Sequence, residues 1–110
     1  MTFIHQELAA GRWQKMSLIE QMANIGSEVE RAFFAKEKNN VERSMKAFER
    51  ALELIDLTLG SSNNRLRLKE IARVREVLVD IFYNGGQFIA SESGLRKYFL
   101  QFAIAARAKS

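Results

Sequence analysis

The sequence predicts an all-α protein, an antiparallel up-down-up-down four-helix bundle with a short N-terminal helix or arm. Three observations carry that prediction. The 110 residues contain no proline, and proline is the strongest interrupter of helices. Ala, Leu, Glu, Arg and Lys, which all favour helix, dominate the remainder. Four segments place apolar residues in steps of three and four, the spacing of one helix face. A chain of 110 residues holds one core, so residues 1–110 form a single domain.

The first helix is predicted over about 17–37. Ser17 and Glu20 have capping-box spacing, in which hydroxyl and carboxylate each satisfy an orphan backbone donor. Its apolar seam runs Leu18, Met22, Ile25, Val29 and Ala32. Phe33 and Phe34 are adjacent, so both cannot face one core. The polar run Lys38-Asn39-Asn40 ends this helix, and Asn39, three residues before Glu42, is placed to cap the next.

The second helix is predicted over about 40–59, with the seam Val41, Met45, Phe48, Leu52, Ile55 and Leu59. Gly60 suits the left-handed position just past a helix end. Asn63 or Asn64 opens a third helix, predicted over about 64–83 with Leu68, Ile71, Val74, Leu78 and Ile81 inward. Gly85-Gly86 breaks it. The fourth helix, over about 92–108, carries Leu95, Phe99, Phe102 and Ala106. Ahead of all four lies Phe3 to Gln14, a short helix or ordered arm that Gly11 separates from the first long helix. Four such stripes bury one another best when packed nearly antiparallel through short connections.

The inventory for catalysis is thin. Cysteine is absent, which removes disulfides, thiolate nucleophiles and cysteine metal sites, and fits a reducing cytoplasmic location. The one histidine, His5, sits near the N-terminus, where a solvated role is the simplest reading. A di-iron bundle needs Glu-x-x-His pairs on two helices, and none is present. There is no Walker-type glycine loop. No catalytic residue, metal site or cofactor is therefore expected, and the chain reads as a non-enzyme. Its longest apolar runs, such as 102–106, are too short to span a bilayer, so no membrane role is expected.

Charge is distributed unevenly. The net charge is +4, with 8 basic and 9 acidic residues up to Gly60 but 9 basic and 4 acidic after it. The basic residues concentrate at Arg65, Arg67, Lys69, Arg73 and Arg75 on the third helix, with Arg96 and Lys97 on the fourth. Arg65, Lys69 and Arg73 repeat every four residues and line one face. Such a stripe suits contact with the phosphates of RNA or DNA. The alternative is a solvated face with Glu70, Glu76 and Asp80 as partners.

Large apolar side chains exceed what a small bundle buries. Trp13, Phe34 and Phe88 are the candidates for an oligomer interface, so a homo-oligomer is expected.

Residues 22–31, Met-Ala-Asn-Ile-Gly-Ser-Glu-Val-Glu-Arg, resemble the Ala-Asn-Ile-Ala-Glu-Gly-x-x-Arg region of a bacterial family. These are the four-helix-bundle proteins encoded in 23S rRNA intervening sequences. The likeness extends over about Gln21 to Leu59, with Phe48, Leu52 and Ile55 at matching core places; Gly26 and Ser27 stand where the family has Ala and Glu. The resemblance implies a four-helix bundle, often a pentameric ring. Relatives include the accessory variability determinant of diversity-generating retroelements, a basic barrel that partners a reverse transcriptase and binds nucleic acid. The leading expectation is thus a non-enzymatic, oligomeric nucleic-acid-binding accessory protein. The competing expectation is a protein-interaction module in which a bundle face or the N-terminal arm docks a partner helix.

Overall fold

A computed structural model of the chain describes residues 11–60, 67–83 and 92–108. Helix α1 spans Leu18–Glu37, α2 Val41–Leu59, α3 Leu68–Tyr83 and α4 Glu92–Ala108, preceded by a 3₁₀ turn at Trp13–Lys15. Each of the four predicted helices is present. Helices α1 and α2 pack together, as do α1 and α4, with α3 seated against α2 and α4.

The pairings run antiparallel. Ser44 meets Ala32 and Arg50 meets Glu28 across α1 and α2. Arg75 meets Asp56, and Phe82 meets Phe48, across α2 and α3. Arg67 lies over Phe102, and Glu70 faces Tyr98, between α3 and α4. Glu92 and Arg96 reach Lys36 and Glu30 to close α4 on α1. In each pair one chain number rises as the other falls, the up-down-up-down arrangement.

Local chemistry explains the helix ends. Ser17 accepts from the Glu20 backbone N–H at 3.1 Å while Glu20 accepts from the Ser17 N–H at 3.3 Å, the predicted capping box. At the far end of α1 the cap differs from expectation by one residue. Asn39 takes a left-handed backbone (φ 58°). Its N–H donates to Lys36 O at 3.0 Å and that of Asn40 donates to Ala35 O at 2.9 Å, a Schellman closure. Asn40, not Asn39, then caps α2 by accepting from the Arg43 N–H at 3.1 Å. Two asparagines, each able to hydrogen-bond locally, thus turn the chain from one helix into the next. Gly60 has φ −77° and continues the right-handed geometry, so the expected left-handed cap is not formed there.

The core contains Met22, Ile25, Val29, Ala32 and Phe33 of α1 and Ile71, Val74, Leu78 and Ile81 of α3. Leu95, Phe99 and Phe102 come from α4. Apart from Phe33, these belong to the predicted seams. Helix α2 is turned relative to its predicted seam, because its buried face is Ser44, Ala47, Phe48, Ala51, Leu54, Ile55 and Thr58, while Val41 is 72% exposed. Small residues decide this: Ala47 and Ala51 let α2 approach α1 closely, and Ser44 Oγ donates to Ala32 O at 2.9 Å.

Trp13 corrects a further expectation. It lies in the core with no exposed surface, so it is not available to an oligomer interface. Its indole Nε1–H donates to Thr58 Oγ1 and its carbonyl accepts from Gln21 Nε2, both at 2.9 Å. The 3₁₀ turn at Trp13–Lys15 therefore plugs the bundle with its indole. Glu28 is also buried. Among the described residues no helix is long and apolar enough to cross a membrane.

Candidate nucleic-acid interface

The basic residues predicted on α3 and α4 divide into two sets. Arg75 Nε lies 2.8 Å from Asp56 and ties α3 to α2. Arg96 sits among three carboxylates, Glu37 at 2.8 Å, Glu30 at 3.2 Å and Glu92 at 3.5 Å, with its guanidinium 5.1 Å from the Phe33 ring. Burial lowers the pKa of Arg96, but the surrounding glutamates raise it by more, so the group stays a cation. Both arginines are structural clamps, their charge already answered within the fold. Arg67 pairs with Glu70 at 3.6 Å and covers Phe102. Lys69, Arg73 and Lys97 are exposed and form no ion pair among the described residues. Arg65 and Phe88 lie outside the described residues.

A stronger convergence of charge occurs where the sequence reading placed none. The α1–α2 turn opens a groove of about 460 Å³ lined by Arg31, Phe34, Ala35 and Lys38 from α1 and Arg43, Lys46, Ala47 and Arg50 from α2, with Asn40 between. The two helices contribute at the same spacing of i, i+3, i+4 and i+7, which puts four side chains on one face of each. In both stripes the i+4 residue is alanine and the end residues are long cations. The buried alanines Ala35 and Ala47 leave a floor that larger side chains would fill.

The electrostatics of this groove follow from its partners. Five of the lining side chains are cations and none is a carboxylate. Behind the wall, the buried Glu28 carboxylate accepts from Arg31 on one oxygen and from Arg50 Nε on the other, at 2.7 Å for Arg50. That shared carboxylate fixes the two arginines at one end. Lys46 pairs with Glu42 at 3.1 Å on the neighbouring exposed face. Lys38 and Arg43 form no ion pair among the described residues. They flank the tight asparagine turn, and the Lys38 ammonium lies 5.4 Å from the centre of the Phe34 ring. Among the described residues the ion pairs of these five cations involve two carboxylates, Glu28 and Glu42, which leaves the groove net positive.

Phe34 was expected to remain outside the core and does, at 57% exposure. The near-neutral count over the first sixty residues conceals the groove cations. The signal was present as position rather than number. Glu42 and Glu49 lie on the adjoining face of α2, while Arg43, Lys46 and Arg50 share another.

A second groove, of about 430 Å³, runs between α1 and α4 past Ala23, Gly26, Phe99 and Leu100. Leu100 and Ile104 on α4 are more than half exposed. Among the described residues no group of three His, Cys, Asp or Glu side chains could hold a metal ion. Comparison with protein-family models, with curated proteins and with solved structures finds no match to this chain.

Proposed function

We propose that this chain is a non-enzymatic nucleic-acid-binding accessory protein that grips phosphates through the α1–α2 groove. The observation that carries the reading is the convergence of Arg31, Lys38, Arg43, Lys46 and Arg50 on one concavity whose lining holds no carboxylate. Three of the five are arginines, whose planar forks suit phosphate oxygens. Lys69, Arg73 and Lys97 add exposed positive charge on α3 and α4. The resemblance of residues 22–31 adds two parts to the proposal, a homo-oligomeric ring, pentameric in the family, and a reverse transcriptase as partner. A cytoplasmic location accords with this role.

The test is fluorescence anisotropy with labelled RNA and DNA across a salt series. Two carboxylates answering five cations leave about three net charges, and a log-log salt slope of about −2 follows for a single strand. Affinity then falls roughly 20-fold for a fourfold rise in salt. Charge-neutral variants at Lys38, Arg43 and Lys46 lose more affinity than variants at Arg65, Lys69 and Arg73. Equal affinity in wild type and the groove variant would remove the groove from the proposal.

A second reading is favoured by one observation. Leu100 and Ile104 stand exposed beside the small residues of the α1–α4 groove, a surface that fits a partner helix. On that reading the chain is a protein-interaction module, and it binds neither RNA nor DNA at low salt.

A further inference from the structure

The same groove carries an aromatic ring that phosphate binding alone does not require. Phe34 lines it and is 57% exposed, although a position on the neighbouring Phe33 face would have buried it completely. Arg31 precedes it by three residues and Lys38 follows by four, so a cation stands on each side of the ring along the helix. Lys38 already lies over the ring at cation–π distance. The turn that positions Lys38 is closed by the Asn39 and Asn40 hydrogen bonds, which fixes the end of the groove.

We infer that the groove takes single-stranded nucleic acid, with an unpaired base stacked on Phe34 and its flanking phosphates held by Lys38, Arg43 and Lys46. The inference rests on the nucleic-acid reading above and specifies its substrate. A duplex keeps its bases stacked against each other and offers a protein only phosphates and groove edges. An exposed ring at the wall of a cation-lined concavity is of no use to such a ligand. A single strand can turn one base out, and every base has a flat π-face, so stacking adds affinity without choosing a sequence. The groove volume of about 460 Å³ is of the size that holds a small ligand rather than a rigid rod. Its floor is built of the small side chains of Ala35 and Ala47. The shared chemistry is an unpaired base between phosphates, and RNA and DNA strands are the two sources.

The experiment measures anisotropy of labelled single strands of about ten nucleotides, one RNA and one DNA, beside a DNA duplex of equal length. Wild type is compared with Phe34→Ala, Phe34→Leu and Phe34→Tyr. Phe34 is exposed, so these variants keep the fold, and circular dichroism verifies it. Phe34→Ala is expected to weaken single-strand binding roughly 5- to 100-fold, the range of one stacked base. Phe34→Leu loses as much although it keeps apolar bulk, and Phe34→Tyr restores binding. The salt slope is unchanged because no charge is altered. Duplex affinity does not move. Preferential loss for RNA or for DNA identifies the source. An unchanged single-strand affinity in Phe34→Ala overturns this inference while leaving phosphate binding intact, and so does an equal loss for the duplex. Absence of binding by wild type to all three probes at low salt overturns the nucleic-acid reading itself, and this inference with it.

Discussion

The indole N–H of Trp13 donates to the hydroxyl of Thr58 at 2.9 Å, joining the segment ahead of α1 to the last turn of α2. Thr58 in turn donates to Leu54 O at 2.9 Å, so the hydroxyl both accepts and donates. A residue distant in sequence from α2 is thereby built into the centre of the bundle, and its contribution is structural. Trp13→Ala should lower stability by about 3–5 kcal/mol through the cavity it leaves. Trp13→Phe should cost about 1–2 kcal/mol, because it removes a buried hydrogen bond and keeps most of the packing. Urea unfolding followed by circular dichroism measures both, and equal stability of all three proteins would contradict the burial of the ring.

Gly26 faces Phe99 so closely that a Cβ at Gly26 would stand 3.0 Å from the Phe99 Cβ. The glycine is what lets α4 lie against α1 at that point. Gly26→Leu should cost about 1–3 kcal/mol by overpacking, despite the better helix propensity of leucine. A gain in urea midpoint for this variant would show that α4 can move away freely.

Glu28 should prove to restrain the groove as well as to hold it. Its carboxylate is buried and shared by Arg31 and Arg50. Glu28→Gln removes one of the two compensating negative charges. Stability should fall by about 1–2 kcal/mol, with Arg31 still largely solvated. Polyanion affinity should rise several-fold at low salt. Opposite movement of the two readouts is the signature; a parallel loss of both would mean that Glu28 mainly shapes the site.

Tyr98 gives a pH test. Burial first, and the Glu70 carboxylate facing it second, push the hydroxyl well above its usual value near 10. The neutral phenol is therefore favoured in the folded state. In the unfolded chain the group ionises at about pH 10, so its contribution is complete below that pH and is lost progressively above it. Tyr98→Phe should change stability little at neutral pH and should reduce the decline above about pH 10. Urea midpoints at neutral and alkaline pH check this, and an identical alkaline decline in the variant would contradict it.

Much of the fold was legible because periodicity and punctuation agreed. Ser17 with Glu20 set the start of α1, and the seams of α1, α3 and α4 name the residues that are buried. The α2 seam misled because it followed the largest apolar side chains. Val41, Met45 and Leu52 form a wide stripe, yet the helix turns its small side, Ala47 and Ala51, toward α1. Close helix approach depends on what is missing from a side chain, and hydrophobicity alone does not register it. Trp13 misled for a related reason, since its place depended on the return of a short segment across Thr58. The predicted stripe on α3 and α4 was visible as charge, but Arg75 and Arg96 proved to be answered by carboxylates from other helices. Such answers depend on tertiary contacts that no count of residues contains. The α1–α2 groove had a readable signal, two stripes of the same spacing on either side of Asn39-Asn40, which a neutral regional charge concealed.

Phosphate binding by the α1–α2 groove is decided by the salt dependence of nucleic-acid binding in wild type and in Lys38→Ala/Arg43→Ala. These two cations lack ion pairs among the described residues, so their removal should leave the fold intact. Wild type should bind single strands with a steep salt dependence, and the double variant should bind more weakly with a log-log slope shallower by about 1.4. An unchanged slope and affinity in the double variant, or no binding by wild type at low salt, would contradict it.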